Sequence, residues 1–389
     1  MITTNKIPQK PDKPIKVVVL GTFNPNKPTY HPSPDEDQYY LASWGGLWAR
    51  RVKERYPDLD IEVWRPEPDF VDISYRKAFG IVDCTIFPAK GFIVSKTLTW
   101  EMLKKLWQYK KDYHLVFHIN TIFDWRSNLM MPILVPGSRI VLSHHGGTFP
   151  AWSVRRSRFK KKMLLWSFKK IEVVTYLRMS IAKEILKANP KIQLFFLPMG
   201  ADFELFKPLD KAVCRKRLGL PQHMVYAIII GEFSELKGVN HILQVYNELK
   251  RDNFSVIFVG GKKTDELYTA VAKSGCPFWE HVNQDLLREI LSAADFYLHP
   301  IFNFTRVGLD VSLIEAMACN RPVVSTQLGE LYFDYSTLGY LISNKDDILS
   351  KTKKMIKNYD QFSKCRETAM KHLDGKTSII DKLYGIYND

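Results

Sequence analysis

The chain has 389 residues, of which 46% are hydrophobic, and a formal net charge of +15. This composition predicts about two globular domains with complete cores, as in a soluble two-domain enzyme. The five cysteines lie far apart without a CxxC pair, which argues against a zinc site or disulfide framework and is typical of a reducing cytoplasm. We expect neither a standard secretion signal nor a membrane-spanning helix, because no apolar stretch suits either.

Short strand-like runs alternate with helical patterns, and the alternation starts a second time after a loop. The first series of candidate strands covers residues 15–20, 61–64, 81–87, 114–118, 139–143, 171–175 and 194–197. The second series covers residues 226–230, 256–259, 295–298, 323–325 and 339–342. This pattern predicts an α/β protein with two doubly wound parallel sheets. We expect the ligand site in the cleft between the two units, beyond the carboxyl ends of the strands.

Glycines and histidines mark the strand ends of the first half. Gly45 and Gly46 open a predicted helix after the first strand, where glycine lets the backbone approach a phosphate or sugar, although a plain turn is equally compatible. His118 ends one strand and His145 follows the next. Each is a candidate cleft residue or, alternatively, a structural histidine, and His144 should point away from His145 by strand alternation.

Residues 152–170 form a cationic segment without any acidic residue. Its cations are Arg155, Arg156, Arg158, Lys160, Lys161, Lys162, Lys169 and Lys170. Its large apolar residues are Phe159, Met163, Leu164, Leu165, Trp166 and Phe168. The pattern predicts a basic amphipathic helix that lies on an anionic membrane surface. An ordinary surface helix with core-facing aromatics is the alternative. We expect no nucleic-acid partner, because no recognised binding motif occurs.

A lysine in the second half precedes a predicted helix N-terminus. Lys237 lies directly before Gly238, and the helix is expected to begin near Val239. An ammonium beside free backbone amides suits a diphosphate whose charge grows during bond cleavage. Alone, such a lysine would also be compatible with a simple surface position.

Residues 307–324 predict a turn, a short helix, a stop and a buried strand. Asp310 is expected in the first turn, and Asn320 and Pro322 are expected to end the helix. Apolar residues at helical spacing define its buried side: Leu309, Leu313, Ala316 and Met317. Glu315 stands within this apolar run, where an unpaired charge is costly, so we expect it to meet a pair of ligand hydroxyls or an internal cation.

Five segments in this order resemble motifs of family-four glycosyltransferases, also called group 1. They are Gly45-Gly46, the histidine motif at 143–146, the junction at 198–208, Gly231 with Lys237-Gly238, and the pair formed by residues 315–318 and 322–324. The resemblance implies a GT-B fold with two facing Rossmann-like domains. The implied divisions are an acceptor-side domain at 1–207, a nucleotide-sugar domain at 208–372 and a helix at 373–389 that crosses back.

The resemblance also implies an activity: transfer of a sugar from a nucleotide-diphosphate donor to a glycan or lipid-linked acceptor, with retention and without metal or cofactor. Glu315 would bind the ribose, and His145 would contact the sugar or support its developing charge through its carbonyl. The further donor contacts implied are Gly46, Lys237, Gly238, Arg306, Gly308 and Asp310. Gly45 and His118 would lie on the acceptor side. The expected location is the cytoplasm, with peripheral attachment to the inner membrane face.

Two positions depart from the family pattern. Val307 stands where a sugar-binding glutamate is expected, and Glu232 stands where an arginine would contact the diphosphate. Arg306 is a candidate replacement cation and Asp310 a candidate replacement for the sugar contact. The departures leave open that the chain is a degenerate binding or scaffold subunit. A second alternative keeps the GT-B fold with other chemistry, such as that of a nucleotide-sugar epimerase or a phosphorylase.

Overall fold

The computed structural model describes residues 13–21, 44–67, 70–89, 98–120, 122, 125–145, 155–251, 253–261, 264–302 and 309–388. The chain divides into two compact units: Met1–Leu197 with Ile380–Asp389, and Pro198–Ile379. Among the helices described, none is long and apolar enough to cross a membrane.

The first unit contains an eight-stranded sheet. Its strands are β1 (Ile15–Leu20), β2 (Asp60–Glu67), β3 (Ser74–Ala78), β4 (Val82–Pro88), β5 (His114–Ile119), β6 (Arg139–Ser143), β7 (Val173–Tyr176) and β8 (Gln193–Phe196). Their order is β3-β4-β2-β1-β5-β6-β7-β8, and all neighbours are parallel except the edge pair β3 and β4. The order changes direction between β1 and β5, and such a switch point is where ligands bind in open parallel sheets.

Helices cover the first sheet on both faces. They are α1 (Trp44–Arg55), α2 (Trp100–Tyr109), α3 (Trp125–Leu134), α4 (Arg155–Ser167) and α5 (Met179–Ala188). Buried residues of α2 to α5 share one core with the sheet, including Met102, Met131, Leu164 and Ile181. Because crossover connections are right-handed, α1 lies on the opposite face from α2 to α5.

The second unit contains a six-stranded parallel sheet. Its strands are β9 (Val225–Ile230), β10 (Phe254–Val259), β11 (Phe278–Trp279), β12 (Phe296–His299), β13 (Val323–Ser325) and β14 (Gly339–Leu341). The order β11-β10-β9-β12-β13-β14 is the Rossmann order, with its switch point between β9 and β12. The helices are α6 (Lys211–Arg217), α7 (Val239–Leu249), α8 (Asp265–Lys273), α9 (Gln284–Ala293), α10 (Val311–Ala318), α11 (Asp347–Asn358) and α12 (Cys365–Leu373), followed by α13 (Ser378–Asn388).

The predicted doubly wound α/β architecture is confirmed, and every candidate strand is present within two residues of its expected ends, except that β2 continues three residues further, to Glu67. The sequence analysis missed two strands. β3 is a polar edge strand whose Tyr75 is 65% exposed, so it lacks the apolar pattern of a buried strand. β11 has only two residues, which is too short to show any period.

The last helix belongs to the first unit by its contacts. Arg55 forms an ion pair with Asp381, and the Tyr56 hydroxyl donates to Asp381 Oδ1 at 2.6 Å. The rings of Tyr56 and Tyr384 stack with their centroids 3.7 Å apart. Together these contacts fix α13 beside the C-terminal end of α1.

The unit boundary differs from the sequence-based division at residue 207, because residues 198–206 pack within the second unit. Gly200 has a φ of +67°, and a Cβ there would lie 2.5 Å from the Cα of Gly375. Ala201 forms a β-bridge with Asp374. Arg366 of α12 also donates to backbone carbonyls of this segment. These contacts join residues 198–206 to the segment that follows α12, within the second unit.

Candidate functional site

The loop after β9 brings two glycines and one lysine to the switch point of the second sheet. Gly231 has a φ of +142°, and the Lys237 side chain lies so close that a Cβ on Gly231 would be 3.4 Å from Lys237 Cε. Gly238 has a φ of +71°, and a Cβ there would lie 2.2 Å from the Pro300 carbonyl oxygen. The predicted helix start is confirmed, because Gly238 is the N-cap of α7. Backbone amides and the lysine therefore occur together.

Lys237 is held by a carboxylate of the same unit. Its Nζ lies 2.5 Å from Asp310 Oδ2, which also lies 2.8 Å from His299 Nε2. The Asp310 backbone N–H donates to Gln327 Oε1 at 2.9 Å. Burial acts to raise the pKa of Asp310, but His299 and Lys237 outweigh it and hold that pKa below its usual value. Asp310 is thus an ionised counterion of Lys237.

The buried imidazole of His299 completes this cluster. Burial lowers its pKa more than Asp310 raises it, so His299 is neutral and its Nε2–H donates to the carboxylate. Sequence analysis did not single out His299, because a histidine ending a buried strand resembles a core residue. Asp310 itself is the N-cap of α10 and not part of its first turn, which corrects the predicted helix start by one residue.

Glu315 lies in the middle of α10, where Leu313, Ala316 and Met317 are buried. No hydrogen bond or ion pair to its carboxylate occurs among the residues that the structure describes. Burial raises its pKa to about 7. The alternative that an internal cation pairs with Glu315 therefore has no support among the described residues. The helix ends as predicted, with Asn320 at a φ of +56°.

Three positions of the predicted donor site lie outside the described residues. They are Arg306, Val307 and Gly308. The predictions of a replacement cation at Arg306, a donor contact at Gly308 and a departure at Val307 therefore stay predictions.

A second group of side chains lies at the switch point of the first sheet. Gly45 and Gly46 are buried in the first turn of α1, as predicted for a glycine pair that opens a helix. A Cβ on Gly45 would lie 1.9 Å from Asn120 Nδ2 and 2.7 Å from Val19 Cγ1. Glycine at this position therefore lets α1 pack directly against the ends of β1 and β5.

His145 follows β6 and joins the same group. Its Nε2 lies 3.4 Å from Asn120 Oδ1, and its ring centroid lies 5.0 Å from that of Trp48. Burial, with smaller contributions from His118 and His144, lowers the pKa of His145 to about 3. His145 is therefore neutral near pH 7 and provides hydrogen bonding rather than charge. Asn120 was not identified from the sequence, because only its packing against Gly45 and His145 distinguishes it.

His118, which was predicted to lie on the acceptor side of the cleft, has a fully buried side chain. Its Nδ1 lies 2.6 Å from the Tyr387 hydroxyl, and its Nε2 lies 2.5 Å from Ser143 Oγ. Burial lowers its pKa to about 3, so the ring is neutral. The cause is strand alternation: Phe117 and Ile119 face the core under α2 to α5, and His118 faces the opposite side.

The predicted basic helix is present as α4, followed by a 3-10 turn at Phe168–Lys170. Leu164 and Phe168 are buried, whereas Phe159 and Trp166 are exposed. The alternative of an ordinary surface helix with core-facing aromatics therefore explains Phe168 but not the exposed Phe159 and Trp166. Arg158 and Lys162 are exposed and Lys161 is half-buried. The structure does not describe residues 151–154 or the side chain of Arg155.

Known proteins resemble the second unit in sequence. The family model "Glycosyl transferases group 1" matches residues 225–358. D-inositol 3-phosphate glycosyltransferase 2 of Catenulispora acidiphila is 28% identical over 148 residues, which is 34% of each chain. A probable sucrose-phosphate synthase of Thermosipho melanesiensis is 26% identical over 194 residues, which is 46% of this chain and 44% of that one. The chain thus spans between a third and a half of the curated relatives it matches, and the predicted family resemblance is confirmed.

Solved structures resemble almost the entire chain. Anabaena HepE in complex with UDP has a TM-score of 0.66 at 15% identity and covers 96% of this chain and 99% of its own. Sucrose-phosphate synthase of Thermosynechococcus elongatus has a TM-score of 0.62 at 14% identity and covers 96% and 98%. Likeness at such identities concerns the fold, and the predicted GT-B fold is confirmed.

Proposed function

We propose that this GT-B protein is a glycosyltransferase that moves a sugar from a nucleoside-diphosphate donor to a glycan or lipid-linked acceptor. The observation that carries the proposal is the carboxylate of Glu315, which is partly buried without a partner in the described part of the chain. It lies in the segment that matches the group 1 glycosyltransferases. A buried acceptor of this kind requires hydrogen-bond donors.

The proposed partner of Glu315 is the ribose of the donor nucleotide. A carboxylate has two acceptor oxygens, and the vicinal 2′ and 3′ hydroxyls of a ribose provide two donors at matching spacing. Hydrogen bonds to a charged acceptor are stronger than neutral ones. Binding would therefore relieve the desolvation that raises the pKa of Glu315.

Lys237 and the amides at the start of α7 are the proposed diphosphate site. Helix N-termini favour anions, and Lys237 adds a full charge beside them. Asp310 balances that charge in the ligand-free protein, so a diphosphate must compete with Asp310 for Lys237. Asp310 Oδ1 has no hydrogen-bond partner within the described ranges and is the proposed acceptor for a sugar hydroxyl of the donor.

We also propose retention of the anomeric configuration without a divalent metal. In this route the leaving phosphate oxygen takes the acceptor proton, so no enzymic base is needed. A neutral His145 is compatible with hydrogen bonding to the transferred sugar but not with a cationic role near pH 7. Because HepE was solved with UDP, uridine nucleotides are the first donors to test.

Calorimetric titration with UDP tests the ribose contact directly. We expect Glu315→Gln to weaken UDP binding roughly 30-fold, which corresponds to about 2 kcal/mol for hydrogen bonds to a charged group. The same change should leave the affinity for 2′,3′-dideoxy-UDP unaltered, because that ligand has no hydroxyls to donate. Glu367→Gln, an exposed glutamate on α12, is the matched control.

Equal losses for UDP and its dideoxy form would contradict the ribose assignment. If UDP fails to bind, GDP and ADP are the next ligands in the same titration. Absence of binding for all three nucleotides would contradict the proposed donor site.

The pairing of Lys237 with Asp310 favours one alternative, a degenerate binding subunit whose phosphate site is blocked by its own carboxylate. Incubation with a UDP-sugar and separation of the products distinguishes the possibilities. Transfer to an acceptor supports the glycosyltransferase. Epimerised nucleotide sugar or sugar phosphate would indicate one of the other GT-B chemistries, and an unchanged donor despite UDP binding would indicate the binding subunit.

A further inference from the structure

The outer side of the helix layer α2 to α4 exposes large apolar side chains. Trp100, Trp107 and Trp166 are 39%, 40% and 50% exposed, whereas the side chains of Trp48 and Trp64 are fully buried. Ile133 on α3 and Phe159 on α4 are also exposed. Single exposed apolar residues are common, but the concentration of tryptophans on neighbouring helices of one layer is not.

The geometry of these side chains shows that they form an ordered surface. The Trp100 and Trp107 rings meet edge to face with centroids 5.6 Å apart. The Trp107 indole N–H donates to the Leu134 carbonyl at 2.7 Å, at the end of α3 and beside Ile133. α2 and α3 therefore present one joined apolar surface.

The third helix continues the pattern. Phe159 and Trp166 are seven residues apart and lie on the same side of α4. Leu164 and Phe168 are buried on the other side. The exposed aromatics of α4 thus point away from the core into which α2, α3 and α4 all pack.

Cations dominate the charges on this layer. Arg158, Lys162 and Lys169 are exposed on or just after α4. The sequences of α3 and α4 contain no acidic residue, and α2 contains only Glu101, whose carboxylate lies 2.9 Å from Lys104 Nζ. The field of these helices therefore favours anions.

We infer that the outer surface of α2, α3 and α4 docks on an anionic lipid bilayer. Indole and phenyl rings partition to the headgroup level, and the surrounding cations contact lipid phosphates. A bilayer binds such a combination of aromatic rings and cations without matching its shape, whereas a protein partner needs a complementary surface. The role of this surface in presenting a lipid-linked acceptor rests on the proposed function, but the docking itself is independent of catalysis.

Vesicle flotation without any donor tests the docking. The full-length protein should float with phosphatidylglycerol-rich vesicles and not with pure phosphatidylcholine vesicles, and salt should weaken the binding. Arg158→Glu combined with Lys162→Glu should weaken it at least about 30-fold, because each lost cation costs about fivefold and the new carboxylates repel the lipid phosphates. Lys353→Glu combined with Lys357→Glu on α11 makes the same change of net charge at exposed sites of the other unit and should have little effect.

The apolar contribution needs a second pair of variants. Phe159→Ser combined with Trp166→Ser should abolish the binding that persists at high salt, whereas Val213→Ser combined with Met370→Ser, at exposed sites of the second unit, should not. Thermal unfolding of each variant verifies that it is folded.

Three results would overturn the inference: equal binding to both kinds of vesicle, no binding to either, or equal effects of the α4 and α11 variants. Retention on heparin without vesicle binding would instead indicate a soluble acidic partner. UDP titration of the same variants separates the two proposals, because docking variants should bind UDP normally even if vesicle binding is lost.

Discussion

The carboxylate of Glu315 destabilises the folded protein whenever it is ionised, because burial raises its pKa to about 7. In an unfolded chain a glutamate ionises near a pKa of about 4.3. The stability contribution of the protonated form is therefore fully present below that value and is lost as the pH rises through 7. A glutamine would have the same shape without this pH-dependent loss.

We expect the gain in the free energy of unfolding of the second unit from Glu315→Gln to be roughly 2–3 kcal/mol larger at pH 8 than at pH 5. Denaturant titrations at both pH values measure the difference, with Glu367→Gln as control. A stability gain that does not change with pH would show that the ionisation of Glu315 is not its cause.

The competition for Lys237 gives a second prediction at the scale of residues. Asp310→Asn removes the negative charge beside Lys237 Nζ, so UDP should bind about tenfold more tightly. Lys237→Ala should weaken binding by at least about tenfold. In the Lys237→Ala background, Asp310→Asn should have a much smaller effect, because its benefit depends on the free ammonium.

Calorimetry of the four proteins completes this double-mutant cycle. Weaker UDP binding by Asp310→Asn alone would mean that the carboxylate positions Lys237 for the diphosphate and does not compete with it. A variant of His299 would test that interpretation, because His299 donates to the same Asp310 oxygen.

At the scale of elements, α13 packs on the first unit through apolar side chains and also makes a buried and an exposed set of polar contacts. The buried set is Tyr387 with His118, and the exposed set is Asp381 with Arg55 and Tyr56. The side chains of Arg55 and Asp381 are 38% and 44% exposed, and exposed ion pairs contribute little to stability.

We therefore expect Tyr387→Phe to reduce the free energy of unfolding by about 1–3 kcal/mol, because it leaves His118 Nδ1 buried without a partner. Asp381→Asn should cost less than about 1 kcal/mol. Chemical denaturation of both variants compares them. A larger loss for Asp381→Asn would show that the exposed set holds the helix.

Most of the architecture could be predicted, because buried parallel strands carry continuous apolar runs between turns. β3 could not, since its polar residues at the sheet edge show no such run. Among the site residues, Lys237 and Glu315 stand in local patterns that the sequence displays. His299 and Asn120 do not, because their significance lies in contacts with residues distant in the chain. The burial of His118 depends on which strand face α13 covers, and that is a property of the complete unit.

At the scale of the whole molecule, the strand order of each sheet reverses once. One candidate group of side chains lies at each of these two switch points. Lys237, Asp310 and Glu315 all belong to the second unit. Deletion of residues 380–389 should therefore destabilise the first unit and preserve UDP binding. Limited proteolysis and calorimetry of the shortened protein measure the two properties, and simultaneous loss of both would contradict this division.

The packing of Gly200 against Gly375 has a topological consequence. The chain enters the second unit at Pro198 and leaves it at Ile379, and the close approach of these glycines holds entry and exit side by side. The second unit is thus a continuous insertion into a first unit whose own sequence is interrupted. Because its two ends lie next to each other, the inserted unit could be replaced as a whole at one junction. A related unit with the same paired ends should be accepted there without any change in the chain path of the host.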